Sequence, residues 1–241
     1  LGDVYKRQAY EPVWSIGTGI IPKEEDLIKT VLFIKSKFGK KSPKILYGGS
    51  VNPVNIKDLT FEKQVRYEHV DPVFSKGPCW ARERIQKFYA NEEYFLQIDS
   101  HTIFINDWDH LLLKNYAWLQ NNQENNFIIT GYPRQFKPNN DLTSFELDSS
   151  SKVTWGIAFE KEKIFEDGCY SGQRGLSCDT NNPLKGLLIA AGFIFTQGTF
   201  INELPYDSKF YFHGEELSLA LRLYTSKWDV IYIPEAPLFH F

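Results

Sequence analysis

The segment Phe95-Leu96-Gln97-Ile98-Asp99-Ser100-His101 is a short apolar strand that ends in two side chains able to bind a metal ion. Because side chains alternate with a period of two along a strand, Asp99 and His101 lie on the same side of an extended backbone. A carboxylate and an imidazole placed in this way can hold a divalent ion and leave coordination positions free for diphosphate oxygens. The alternative is an aspartate that caps a turn, with a solvated histidine beside it.

Further blocks of sequence flank this strand and favour the metal interpretation. In chain order they are Gly77-Pro78-Cys79-Trp80-Ala81-Arg82, Trp108-Asp109, Ala191-Gly192-Phe193, Leu204-Pro205-Tyr206-Asp207, Phe212-His213-Gly214-Glu215-Glu216 and Glu235-Ala236-Pro237-Leu238-Phe239-His240. Over about residues 65–241 they resemble the GlcNAc-transferases that glycosylate hydroxyproline or Ser/Thr in polypeptides. The resemblance implies an α/β fold with a partial GT-A-type, Rossmann-like glycosyltransferase domain. It also implies a retaining, metal-dependent transfer.

The same resemblance implies a UDP-GlcNAc donor, a polypeptide acceptor and a divalent metal cofactor, either Mn²⁺ or Mg²⁺. Asp99 and His101 would bind the metal with His240 as third ligand, although His240 fits an ordinary half-buried histidine equally well. The residues expected to bind the donor are Arg82, Asp99, Ser100 and Gly192. For Arg82 the alternative is a salt bridge on a helix surface.

Two adjacent glutamates, Glu215 and Glu216, precede an apolar helical pattern. Carboxylates at a helix N-terminus are favoured by the macrodipole, so one interpretation is simple dipole complementation. The resemblance implies instead that one of them is catalytic and contacts the acceptor hydroxyl or stabilises positive charge on the sugar. The sequence does not distinguish the two residues.

A second resemblance precedes the first. Ala9-Tyr10-Glu11-Pro12-Val13-Trp14-Ser15-Ile16-Gly17-Thr18-Gly19 and Ile45-Leu46-Tyr47-Gly48-Gly49-Ser50-Val51 resemble the sixth strand with its lid and the seventh strand of triosephosphate isomerase. Residues 23–38 form an amphipathic helical pattern between them, so the stretch is a two-unit βα fragment of an eight-unit TIM barrel. The resemblance implies that Glu11 is the general base and that Gly17 and Ser50 bind phosphate. The isomerase histidine and lysine lie in the missing half, so we do not expect isomerase activity.

The two resemblances meet near residue 62 without a Gly/Ser- or Pro-rich linker. We therefore expect three segments: residues 1–8, which resemble translated adapter sequence, an isomerase-like fragment at 9–61, and a GlcNAc-transferase-like domain, truncated at both ends, at 62–241. The sequence predicts a chimeric frame that is incomplete as a transferase. The alternative function is that of a non-catalytic fragment that binds UDP or metal at most, and an isomerase fragment comes third.

Composition excludes several other classes of protein. The chain has 241 residues, of which 42% are hydrophobic, and a net charge of −3. This net charge does not indicate a basic surface for binding nucleic acid. Three cysteines form neither a zinc spacing nor an even-numbered disulfide framework. No apolar run reaches the length of a membrane span, and we expect a cytoplasmic protein with no nucleic-acid partner.

Hydrophobic patterning predicts the elements of the second part. The predicted strands are 65–70, 94–99, 127–130, 153–160, 187–195 and 229–233, and the predicted helices are 78–90, 109–121 and 214–226. Residues 170–175 are predicted to form a loop between two cysteines.

Overall fold

A computed structural model describes residues 7–10, 44–47, 66, 68, 70–99, 101–138, 145–148, 153–160 and 172–240. The chain divides into two compact units, residues 1–73 with 139–144, and residues 74–138 with 145–241.

The described part of the first unit contains two paired strands. Strands β1 (Arg7–Tyr10) and β2 (Lys44–Tyr47) run parallel, with Arg7 opposite Lys44 and Tyr10 opposite Tyr47. Parallel neighbours require a long crossover connection, which is the arrangement expected of consecutive βα units. Strand β1 begins at Arg7, so it includes two residues that we had assigned to the adapter-like segment.

The second unit is a mixed α/β assembly. Its described elements are, in chain order, α1 (Pro78–Gln86), β3 (Tyr94–Ile98), β4 (Thr102–Phe104), α2 (Trp108–Asn122), β5 (Phe127–Thr130), β6 (Arg134–Pro138), β7 (Phe145–Leu147), β8 (Thr154–Phe159), β9 (Gln173–Cys178), β10 (Leu184–Gly186), β11 (Phe193–Gln197), α3 (Phe200–Glu203), α4 (Glu215–Thr225), β12 (Asp229–Tyr232) and β13 (Leu238–His240). A 3-10 turn covers Pro72–Phe74. The α/β prediction is confirmed.

A five-stranded sheet in the order β10-β12-β5-β11-β3 forms the centre of this unit. Within it, β12 and β5 pair in parallel, and the other neighbours pair antiparallel. Alternation along the strands divides the core in two. Ile128, Ile194 and Val230 pack with one cluster, which includes Cys79 of α1 and Leu219 of α4.

The opposite face of the sheet packs against α2. Its cluster contains Leu112 and Leu119 of the helix, with Phe127, Ile129 and Phe193 of the sheet. All five side chains are at most 4% exposed. Burial of each side chain contributes about 1.5–3 kcal/mol, so these two clusters hold the sheet rigidly between its helices.

A second sheet in the order β4-β13-β6-β7 lies beside the end of β3. The chain leaves the central sheet after Ile98 and enters this second sheet at Thr102. Strand β13 pairs antiparallel with β4, with His240 opposite Thr102, and parallel with β6, with His240 opposite Gln135. The last residue of β13 is therefore placed next to the segment that follows β3.

Some predicted elements are correct and others are wrong. The strands near 94–99, 127–130, 153–160 and 229–233 and the helices near 109–121 and 214–226 are present within one or two residues. The strand predicted over 65–70 is wrong at 66, 68 and 70, the positions described there, which lie in no strand. The loop predicted over 170–175 is wrong from Gln173 onward, because β9 starts there and pairs with β8.

The strand predicted over 187–195 is wrong at 187–192, which form the loop between β10 and β11, and is correct at 193–195, where β11 begins. Residues 188–191 are buried although they lie in no strand, because the loop runs beneath the side chains of the sheet. One such contact is a hydrogen bond of 2.8 Å from the Tyr232 hydroxyl to the Leu188 carbonyl. A continuous apolar run predicts burial correctly here but not extended structure.

The helix predicted over 78–90 ends earlier, at Gln86, where the amide of Lys87 donates to the carbonyl of Arg84 in a tightened last turn. None of the helices described in the structure combines the length and the apolar character that a membrane crossing requires.

Gly77 immediately precedes α1, and its backbone conformation gives a stability prediction. Its φ of 93° and ψ of 174° lie in a region that is essentially restricted to glycine. A Cβ at this position would also collide with the carbonyl oxygen of Tyr211 and stand 2.9 Å from its Cδ2. We expect Gly77→Ala to lower the free energy of unfolding by about 3 kcal/mol or more in urea unfolding.

Gly214→Ala is the matched control for this substitution. Gly214 has a φ of 86°, but the nearest atom to its added Cβ would be a Phe210 ring carbon at 3.3 Å. We expect a loss of about 1–2 kcal/mol from the left-handed backbone alone. Equal losses for the two variants would contradict the collision with Tyr211.

Candidate active site

Asp99, His101 and His240 come together at the junction of the two sheets. One ligand atom from each lies within 4.8 Å of the others, and all three residues are partly buried. The Asp99 Oδ2 atom and the His240 Nε2 atom are 3.2 Å apart. The imidazole centroids of His101 and His240 are 4.2 Å apart. The three residues that the sequence singled out as metal ligands are therefore neighbours in space.

The donor set and its spacing fit a divalent ion. Ligand atoms about 2.1 Å from an ion and about 90° apart lie about 3 Å from each other. The separation of Asp99 Oδ2 and His240 Nε2 agrees with this value. Two imidazoles and one carboxylate suit borderline divalent ions and leave other positions open to a ligand.

The protonation of these groups also favours metal binding. The hydrogen bond with His240 holds the pKa of Asp99 below its ordinary value, and the charge of Arg82 acts in the same direction against the effect of burial. Burial lowers the pKa of His101, and the neighbouring His240 lowers it further. A carboxylate and a neutral imidazole are the forms that bind metal ions.

Gly192 lies directly against Asp99. In the pairing of β11 with β3, Phe193 stands opposite Ile98, so the next pair along is Gly192 and Asp99. The Asp99 amide donates to the Gly192 carbonyl at 3.2 Å, and a Cβ on Gly192 would stand 2.6 Å from Asp99 Oδ2. A larger residue would therefore displace the carboxylate. Gly192, which the resemblance implies binds the donor, lies beside the cluster of Asp99, His101 and His240.

Arg82 and Glu215 form a buried ion pair next to Asp99. The Arg82 Nη1 atom donates to both carboxylate oxygens of Glu215, at 2.8 and 2.7 Å, and Nη2 is 3.4 Å from Asp99 Oδ1. The Cys79 thiol donates to Glu215 at 2.9 Å. Burial and Glu215 raise the pKa of Cys79 to about 12, so the thiol stays protonated as a donor. Arg82 does form salt bridges, as the alternative interpretation expected, but its side chain is only 17% exposed and does not lie on the helix surface.

Glu216 has different neighbours from Glu215. One of its carboxylate oxygens accepts from the Ala191 amide at 2.7 Å, and the other accepts from Gln173 Nε2 at 2.6 Å. Burial raises the pKa of Glu216 to about 7, and the like charges of Glu215 and Asp99 act in the same direction. The backbone donor opposes this shift without cancelling it. Glu216 is thus a carboxyl that changes protonation near neutral pH.

Other residues near the site were not predicted as site residues. Gln97 donates to the Ala191 carbonyl at 2.6 Å and to the Tyr206 hydroxyl at 2.8 Å. Its position two residues before Asp99 on β3 is a period-two signal that could have identified it. Gln173 lies on β9, and nothing in its local sequence links it to Glu216.

Tyr132 follows β5 and completes this side of the site. Burial raises its pKa, and the charges of Glu216, Glu160 and Asp99 raise it further. A Cβ on Gly175 would stand 3.0 Å from the Cβ of Tyr132, so a glycine there makes room for the ring.

The remaining predicted site residues lie outside the described part of the chain. They are Ser100 of the donor group and Glu11, Gly17 and Ser50 of the isomerase-like fragment.

Comparison with known proteins identifies two similarities. A family model described as Glycosyltransferase (GlcNAc) matches residues 22–241. The chain is also 47% identical to triosephosphate isomerase of Thermodesulfovibrio yellowstonii over 57 residues, 21% of this chain and 23% of that protein. The corresponding enzyme of Aquifex aeolicus is 43% identical over 63 residues, 24% of this chain and 26% of that protein. The enzyme of Mycoplasmopsis agalactiae is 52% identical over 52 residues, 22% of this chain and 20% of that protein.

The chain thus spans between a fifth and about a quarter of these isomerases. The predicted resemblance to both families is confirmed. The family match begins at residue 22, so it includes part of the stretch that resembles the isomerase.

The raised pKa of Glu216 predicts how stability depends on pH. Its folded-state pKa of about 7 lies above the ordinary value of 4.5, so its contribution to stability is complete below pH 4.5 and is lost as the pH rises through 7. We expect the free energy of unfolding of the wild type to fall relative to Glu216→Gln by up to about 3 kcal/mol between pH 4.5 and pH 8. Urea unfolding with EDTA present measures this difference.

Glu203→Gln, which removes an exposed carboxylate on α3, is the matched control. A wild-type profile that runs parallel to that of Glu216→Gln across this range would contradict the raised pKa.

Proposed function

Because the chain belongs to the Glycosyltransferase (GlcNAc) family, we propose that it transfers GlcNAc from UDP-GlcNAc to a polypeptide hydroxyl group. The proposed reaction depends on a divalent metal ion and retains the configuration at the anomeric carbon. The single observation that carries the proposal is the cluster of Asp99, His101 and His240 within a chain of this family. The fold assigned to the second unit in this proposal is a partial GT-A-type domain.

Asp99, His101 and His240 would hold Mn²⁺ or Mg²⁺ through one carboxylate oxygen and two imidazole nitrogens. A metal bound there supplies positive charge next to the departing diphosphate. The β3–β11 contact holds Asp99 in place through the hydrogen bond between its amide and the Gly192 carbonyl. In the proposed site Ser100 and Gly192 border the donor.

We assign the role at the reaction centre to Glu216. Glu215 is paired with the Arg82 guanidinium and is only 7% exposed, whereas Glu216 is partly exposed and accepts from the Ala191 amide and Gln173. Glu216 has a pKa of about 7, so at neutral pH it can either donate a hydrogen bond to a hydroxyl group or accept one. In its ionised form it would stabilise positive charge that develops on the sugar.

The proposed transfer does not need a separate strong base to accept the hydroxyl proton. The bond from the anomeric carbon to the diphosphate oxygen breaks as the acceptor oxygen forms its bond from the same side. The departing phosphate takes the hydroxyl proton. Glu216 would orient the acceptor hydroxyl for this attack, a contribution that depends on accurate placement.

The metal ligands give a direct test of the proposal. We expect Asp99→Ala and His101→Ala each to lower Mn²⁺-dependent hydrolysis or transfer of UDP-GlcNAc more than about 100-fold, because loss of a ligand exceeds the effect of losing a supporting contact. Peptides that contain hydroxyproline or threonine serve as acceptors, and released UDP is measured. His110→Ala, which removes an exposed histidine on α2, is the control and should retain wild-type turnover. Full activity of either ligand variant in EDTA would rule out the metal assignment.

The second candidate is a non-catalytic chimeric chain, in which residues 1–8 resemble adapter sequence, 9–61 the isomerase and 62–241 the transferase. It is favoured by identities of 43–52% to isomerases over only 52–63 residues. Such a chain would bind Mn²⁺ or UDP without turnover, because catalysis needs groups held in productive positions. Mn²⁺ binding with background transfer to both peptides would favour this candidate over the transferase.

Isomerase activity is the third candidate, with Glu11 as base and Gly17 and Ser50 as phosphate contacts. The active site of a TIM barrel is assembled from several strands, and the aligned segment is at most 26% of an isomerase chain. We expect background conversion of glyceraldehyde 3-phosphate in a coupled assay. Isomerisation that disappears in Glu11→Gln would instead establish a working isomerase site.

A further inference from the structure

The Arg82 guanidinium connects two carboxylates that belong to different elements. It donates twice to Glu215, at the start of α4, and its other terminal nitrogen lies 3.4 Å from Asp99 Oδ1, after β3. The guanidinium carbon is 5.4 Å from the centre of the Tyr206 ring. Both terminal nitrogens of the Arg82 guanidinium are therefore directed at protein carboxylates.

The two oxygens of Asp99 face different partners. Oδ1 faces Arg82, whereas Oδ2 faces His240 Nε2 at 3.2 Å. The backbone of Asp99 is fixed by Gly192, but that contact does not determine the rotation of the carboxylate about its own bond. Arg82 therefore helps to fix the plane of the Asp99 carboxylate, and with it the direction of the oxygen that faces the histidines.

Glu215 in turn holds Arg82 in position. Its carboxylate accepts from Arg82 and from the Cys79 thiol, and it is 7% exposed. A planar guanidinium can bind one carboxylate with one nitrogen and a second carboxylate with the other, which a lysine ammonium cannot reproduce with the same geometry. Removal of either partner of such a buried pair leaves the other charge without compensation.

We propose that Arg82 and Glu215 are a positioning pair that turns Asp99 Oδ2 toward the metal, and that neither residue contacts the substrate. This inference rests on the proposed metal site at Asp99, His101 and His240. It replaces the donor-binding role predicted for Arg82 and the catalytic role predicted for Glu215. The Cys79 thiol supports this pair, because it donates to the Glu215 oxygen that also accepts from Arg82.

The test measures Mn²⁺ affinity, from the electron paramagnetic resonance signal of free Mn²⁺, in the full chain. We expect Arg82→Met and Glu215→Gln each to weaken binding about 10- to 100-fold, as loss of a supporting contact does. The double variant should bind Mn²⁺ as tightly as the more weakly binding single variant, because both substitutions remove the same supporting contact. Arg82→Lys should recover less than half of the loss on a logarithmic scale.

Arg84→Met is the matched control. Arg84 lies on the same helix, and its guanidinium stacks on Trp80 at 4.8 Å. We expect wild-type Mn²⁺ affinity in this variant. Urea unfolding of every variant separates a loss of affinity from a loss of folded protein, and for any variant that fails to fold Arg82→Lys is used in its place.

Two results would overturn the inference. One is an unchanged Mn²⁺ affinity in Arg82→Met or Arg82→Lys combined with a raised KM for UDP-GlcNAc, which would make Arg82 a donor contact. The other is additive losses in the double variant.

Wild-type protein that does not bind Mn²⁺ would instead contradict the proposed function. Crystal structures of the wild type and of Arg82→Lys then test whether Arg82 and Glu215 position Asp99. An Asp99 Oδ2 that moves out of hydrogen-bond range of His240 Nε2 supports the pair, and an Asp99 that keeps the wild-type contact overturns it.

Discussion

The antiparallel pairing of β3 with β11 holds Asp99 against Gly192, and the other groups of the site are arranged around this contact. The Asp99 amide donates to the Gly192 carbonyl, and only a glycine leaves room for the carboxylate. A register shift of one residue would turn every side chain of β3 to the opposite face and remove Asp99 from the histidines. The buried alternation of β11, between two core clusters, is what prevents that shift.

The charges of the site are balanced within a small volume. Asp99, Glu215 and Glu216 lie near a single guanidinium, that of Arg82, among the groups that the structure describes there. Arg82 compensates Glu215 directly and Asp99 in part. Glu216 has backbone and amide donors but no cation in contact among the described residues, and burial is the main cause of its raised pKa. A divalent ion beside Asp99 would add positive charge next to a carboxylate whose negative charge Arg82 compensates only in part.

The two family similarities differ in extent and in what each can support. The glycosyltransferase match includes Asp99, His101 and His240, the Arg82–Glu215 pair and Glu216 within residues 22–241. The isomerase similarity covers at most 24% of the chain in these comparisons. In the described part of that stretch, β1 and β2 pair in parallel, as neighbouring barrel strands do. A barrel site draws groups from several strands, so two strands cannot form a complete one.

Local sequence patterns determined the elements whose burial follows a regular period. The strand before Asp99-Ser100-His101, the helix α2 and the helix α4 are examples, because alternation and helical spacing act over a few residues. The same patterns predicted that Asp99 and His101 share a side of the chain. They failed for residues 187–192, which form a loop that is buried at 188–191, and at the end of α1, where a tightened turn stops the helix.

Tertiary structure decided which residues meet. His240 reaches Asp99 across 141 positions, and Arg82 reaches Glu215 across 133. Such contacts depend on sheet register and on packing between distant elements, neither of which is encoded in a local period. For the same reason the sequence alone could not distinguish Glu215 from Glu216. The two residues are adjacent in the chain, but one faces Arg82 and Cys79, and the other faces Ala191 and Gln173.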